Sequence, residues 1–128
     1  SAGGHLALWA AVAAPAPGLA LTVALGAVGD LVLADRDDLG AGAVRAFLGC
    51  PAVERPDLDP AQLPPPATPV TLVHGLEDEI VPVGQARAYA DATPGAEVVE
   101  LYDAGHFAVI DPWSDSWTAV VRAVRAAP

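Results

Sequence analysis

Methionine is absent from this sequence of 128 residues, and cysteine occurs once, at Cys50. With no methionine there is no visible start codon, so the sequence reads as the C-terminal piece of a longer reading frame, with residues 1–128 as one partial domain. A single cysteine excludes an intrachain disulfide and a thiolate metal site. Cys50 reads as a small hydrophobe or a loop residue. Basic side chains are scarce: six Lys and Arg stand against 16 Asp and Glu, a formal net charge of −10. Such a surface repels phosphate backbones, so nucleic acid is not an expected partner. A membrane-length apolar run is also missing. The stretch from Pro17 to Gly29 is apolar but shorter than the roughly 20 residues a spanning helix needs. The expectation is a cytoplasmic protein with no membrane span and no metal or organic cofactor.

Apolar residues are abundant: 53% of the chain is hydrophobic and 17% charged, with a mean hydropathy of +0.40. That balance suits a piece of buried parallel sheet. Residues from Ala2 to Ala14 read as a helix, apolar on nearly every face and therefore buried all round; Pro15 and Pro17-Gly18 stop it. Leu19 to Val28 reads as a strand buried on both faces. Short helices are expected over Asp30–Asp38 and Ala41–Leu48, followed by a proline-rich connecting loop from Gly49 to Pro69. Val70 to His74 is a β-branched strand ending at Gly75, Val83 to Ala92 a helix, and Glu97 to Tyr102 an outer strand with alternating polarity. Ser114 to Ala126 is a terminal helix N-capped by Ser114, with Trp117, Val120, Val121 and Val124 on its packing face. Alternating helices and strands predict an α/β fold with parallel strands and flanking helices.

Three polar residues punctuate this pattern. Ser1 precedes Ala2-Gly3-Gly4-His5 and a long apolar helix, the small-residue setting of a nucleophile elbow. The helix N-terminus brings positive dipole and free N–H groups beside it, and the Ala2 N–H is the candidate oxyanion donor. The competing role is a helix N-cap serine. Asp78 follows a buried strand in His74-Gly75-Leu76-Glu77-Asp78-Glu79-Ile80-Val81-Pro82, where functional residues of parallel sheets gather. Glu77 and Glu79 are its possible substitutes, and a solvated surface charge is the plain alternative. His106, in Ala104-Gly105-His106-Phe107, sits on a loop from which it can reach a serine as general base; a lone loop histidine is otherwise structural. His74 reads as mainly structural, bonding loop backbone; His5 reads as structural, with packing under the site or lining the pocket as the alternative. Phe107 and Trp113 flank a pocket near His106 or fill core. Asp78 and His106 lie 28 residues apart, room for one helix and one strand. Serine, acid and histidine in that chain order predict a Ser-His-Asp triad of Ser1, Asp78 and His106.

On these motifs the chain resembles the C-terminal half of an α/β-hydrolase. It is closest in pattern to prolyl-oligopeptidase-like, dienelactone-hydrolase-like and kynurenine-formamidase-like esterases. Ser1-Ala2-Gly3-Gly4-His5-Leu6-Ala7, the His-Gly-x-x-Asp-x-x-Val-Pro run beginning at His74, and Ala104-Gly105-His106-Phe107 carry the resemblance. It spans essentially the whole chain and is weakest from Asp35 to Pro66. Hormone-sensitive-lipase-like esterases share Ser-Ala-Gly-Gly but carry a different acid motif. The resemblance implies the last three strands of an eight-stranded sheet, with Ser1 as nucleophile, Asp78 as acid and His106 as base. It implies hydrolysis of small carboxylic esters or amides through an acyl-enzyme, with prolyl-oligopeptidase-type peptidase activity as an alternative. The Gly-x before the serine, the strand leading into it and a His-Gly-Gly-type loop lie outside this sequence. The second oxyanion donor normally comes from that loop, and losing one donor costs about 10²–10³ in rate. These residues alone therefore also fit a hydrolase-like piece that binds without catalysing. An N-terminal-nucleophile hydrolase with the Ser1 amine as base would need a layered antiparallel sheet.

Overall fold

The computed structural model describes residues 1–127. Its centre is a sheet of three parallel strands, β1 (Thr22–Leu25), β2 (Val70–Gly75) and β3 (Glu97–Leu101), in the spatial order β1-β2-β3. Thr22 pairs with Val70, and Thr71 with Glu97. Parallel pairing agrees with the expected α/β class and removes the antiparallel sheet that an N-terminal-nucleophile fold would need.

Side-chain alternation divides the core in two. Ala24, Val70 and Leu72 pack with Leu8 of α1 (Ala2–Ala13) and with Ala86 and Tyr89 of α4 (Gly84–Ala92). On the opposite face Val73, with Val23, Val99 and Leu101 beside it, packs on Val120 and Ala123 of α5 (Trp117–Arg125). A satellite core joins Leu31 and Ala34 of α2 (Leu31–Arg36) to Val44 of α3 (Ala43–Leu48) and Ala52. Helices thus cover both faces of the sheet, α1 and α4 on one side and α5 on the other.

Several elements depart from their expected form. The first helix is not buried all round: Leu8 and Ala11 are buried, but Leu6 is 59% exposed. It packs on β1 with one side only, so its uniform apolarity has no matching uniform burial. The first strand is four residues long rather than spanning Leu19–Val28. Its ladder begins where Thr22 N–H donates to the Pro69 carbonyl (3.0 Å), and it ends at Gly26, whose φ of +51° turns the chain out of the sheet. The last helix starts at Trp117, not Ser114. The Ser114 hydroxyl donates to the Ala108 carbonyl instead, at 2.5 Å, and Val124 faces solvent while Val120 and Ala123 are buried.

The proline-rich connection is more ordered than a plain loop. It holds three 3₁₀ turns, Ala52–Glu54, Pro56–Leu58 and Pro60–Gln62. Fully buried Asp59 anchors them: its carboxylate accepts from the N–H groups of Leu31 (3.0 Å), Val32 (3.2 Å) and Ala61 (3.2 Å). Burial pushes this carboxyl above the usual carboxylate range despite those three donors. His5 Nε2 donates to the Leu58 carbonyl (3.0 Å) and the Trp9 indole to that of Asp57 (3.0 Å), tying α1 to the same connection. His5 thus anchors α1 to the connection. No helix among the described residues is long and apolar enough to cross a membrane.

Candidate active site

The end of β2 and the turn after β3 meet at one carboxylate. Asp78 is buried in the turn following β2, and its Oδ1 accepts from the N–H groups of Ile80 (3.0 Å) and Val81 (2.7 Å). That double grip points Oδ2 away from the turn, toward His106. Nδ1 of His106 donates to Oδ2 at 2.6 Å, a short charge-assisted contact. With its proton on Nδ1, the ring keeps Nε2 as a lone-pair acceptor. Glu77 and Glu79 are exposed and make no bond to His106, so of the three acids in this run Asp78 alone meets the histidine.

Two glycines shape the pocket around the pair. Gly26 ends β1 with positive φ, and a Cβ there would sit 3.3 Å from His106 Nδ1 and Cε1 and 3.5 Å from Asp78 Oδ2. Its missing side chain lets the imidazole lie against the sheet edge. Gly75 ends β2 under the Ala104 peptide, and a Cβ there would land on the Ala104 carbonyl, 2.7 Å from its carbon. That carbonyl accepts from the Glu77 N–H (3.1 Å), so the acid turn and the histidine turn are stitched together two residues before His106. Gly75→Ala is expected to force these turns apart. The expected cost is about 1–3 kcal/mol of stability from overpacking and about 10²-fold in turnover from the displaced histidine. Denaturant unfolding and ester-hydrolysis rates on the same preparation check both figures.

Ser1 occupies the N-cap of α1 and is exposed, and its side chain makes no capping bond. The competing capping role is therefore not taken up, and the hydroxyl is uncommitted. No hydrogen bond joins Ser1 Oγ to His106 among the described residues. The Ala2 N–H opens the helix and has no carbonyl four residues behind it, which leaves it free to meet an anion. Gly4 permits close approach of this helix to the sheet: a Cβ there would come within 2.6 Å of the Ala27 Cβ.

The flanking aromatics are not core. Phe107 is 64% exposed and stands edge-on to His106, ring centroids 5.2 Å apart, while Trp113 is 93% exposed. An apolar cleft of about 640 Å³ runs along α1 from Ala2 and Gly3, lined by Leu6, Trp9, Val28 and Phe47 among others. No group of three His, Cys, Asp or Glu among the described residues is placed to hold a metal ion. Sequence reasoning missed Gly26, which lies inside an apolar run and reads as strand interior. It also missed Asp59, although Asp-Pro at a turn start is a capping signal.

Comparison with known proteins agrees with the fold. The alpha/beta hydrolase fold family matches residues 1–112. An acetyl ester-xyloside bifunctional hydrolase from Caldicellulosiruptor lactoaceticus superposes with a TM-score of 0.69 at 23% identity, over 94% of this chain and 52% of that one. The native esterase Est2 of Thermogutta terrifontis gives 0.69 at 21% identity, over 98% and 50%. The same esterase phosphonylated by sarin gives 0.67 at 21% identity, over 97% and 51%. The chain thus spans about half the length of these solved structures. No curated protein sequence matches it.

Proposed function

This chain belongs to the alpha/beta hydrolase fold family, and from that premise we propose that it carries the nucleophile, base and acid of a serine hydrolase acting on small carboxylic esters or amides. The observation that carries the reading is the 2.6 Å His106–Asp78 contact at the C-terminal ends of adjacent parallel strands. It fixes the tautomer in which Nε2 can take a proton. In the proposed sequence His106 Nε2 takes the Ser1 proton while Oγ attacks the carbonyl carbon. The Ala2 N–H stabilises the developing oxyanion. The imidazolium gives its proton to the departing alcohol or amine, leaving an acyl-enzyme. Water then attacks, His106 takes its proton, and the carboxylic acid and free serine are released. The cleft starting at Ala2 and Gly3 suits the apolar acyl or alcohol portion of the substrate.

A fluorophosphonate probe applied to the complete protein tests this. The expected result is one covalent adduct, located on Ser1 by peptide mass spectrometry and abolished by His106→Ala. The phosphonylated Thermogutta esterase makes this probe class a fitting choice. The second reading, binding without catalysis, draws on the lack of a Ser1–His106 hydrogen bond. Folded protein that takes no adduct and turns over no p-nitrophenyl ester would put that reading first.

A further inference from the structure

We propose that His74 is a positioning residue for the acid, an inference that rests on the Ser1–His106–Asp78 reading. His74 is fully buried in β2. Its Nε2 donates to the Val81 carbonyl at 2.7 Å and lies 3.5 Å from Asp78 Oδ2, the oxygen that receives His106. Val81 is therefore held on both sides of its Cα: its N–H by Asp78 Oδ1 and its carbonyl by His74. The turn cannot rotate about Val81 without breaking one of these bonds, and Oδ2 stays aimed at His106. The other ring nitrogen, Nδ1, is buried with no partner. Burying such an atom is costly, and a leucine would fill the volume without that cost. The single bond through Nε2 is what the imidazole provides that a hydrocarbon does not.

The test compares His74→Leu, His74→Asn and His74→Gln in the complete protein, with Asp78→Asn as the control. Gln reaches Val81 with a terminal N–H, whereas Asn is too short and Leu has no donor. Leu and Asn are expected to lower kcat roughly 10- to 100-fold with KM little changed, and Gln to restore most of the loss. The downfield proton NMR resonance of His106 Nδ1–H should shift or broaden in Leu and Asn and persist in Gln. A purely space-filling role would change the melting temperature but neither kcat nor that resonance. The proposal is overturned if Leu and Asn keep the wild-type kcat and resonance, or if Gln and Asn are equally impaired. Should His74→Leu fail to fold, the Gln–Asn comparison decides alone. If Asp78→Asn itself retains full activity, the triad reading fails and this one with it. If only the His74 variants are silent, the triad stands and His74 has no part in it.

Discussion

Ser1→Ala is expected to lower kcat for a p-nitrophenyl ester by about 10⁶-fold, the scale on which removal of an activated serine acts. The fold should not notice. The side chain is exposed and makes no capping bond, so the stability change should fall within about 0.5 kcal/mol. What survives in the variant is the helix N-terminus, the Ala2 N–H and the apolar cleft. These bind and polarise substrate but supply no nucleophile, leaving a residual advantage of about 10³–10⁴ over water. On the proposed reading serine and histidine act as one unit, so adding His106→Ala to Ser1→Ala should cost almost nothing further. Stopped-flow or long-time-course hydrolysis of all three variants measures this. An additive double variant, or a Ser1→Ala protein retaining more than a few per cent of activity, would show that another group attacks the carbonyl.

Asp78→Asn is the second large effect, about 10⁴-fold in kcat with the fold intact. The geometry dictates how it fails. Two backbone N–H groups, from Ile80 and Val81, point at Oδ1. An amide placed there must turn its oxygen to them, which turns its NH₂ toward His106. Nδ1 then has to accept rather than donate, and the proton moves to Nε2. A ring protonated at Nε2 cannot take the proton of a serine. The variant should therefore bind substrate and melt near the wild-type temperature, yet stay slow at every pH where the ring is neutral. Retention of activity within tenfold would transfer the acid's role to Glu77 or Glu79, both of which face solvent here.

The meeting of Asp78 and His106 is legible because each residue is announced locally. Asp78 follows a run of β-branched residues and a glycine, and His106 follows the end of an alternating strand. In a parallel sheet those two positions are neighbours by construction. What was not legible depends on distant partners. Gly26 meets His106 across 80 residues of chain, and no pattern around Leu25-Gly26-Ala27 points to an imidazole. Asp59 lies in a stretch whose prolines suggest only a loop, and the fact that its carboxylate seats Leu31, Val32 and Ala61 is known only once the chain is folded. The first helix misleads for the opposite reason. Its apolar residues on every face imply burial on every face, whereas β1 covers one side only. His74 reads as a structural residue bonding loop backbone, and its bond to the Val81 carbonyl depends on the turn geometry that Asp78 itself creates.

The sheet order also sets how much freedom the chain has between its landmarks. Asp78 and His106 are joined by 28 residues, whereas Thr22 finds its partner Val70 only after a span of roughly 50. Chain-closure entropy grows as the logarithm of length, so the longer closure costs only about 0.5 kcal/mol more than the shorter. A connection that is already long can lengthen again almost without penalty. The segment between β1 and β2 can thus take additional exposed residues at little entropic cost, provided that its buried cluster of Leu31, Ala34, Val44 and Ala52 stays packed and Asp59 keeps its seat over α2.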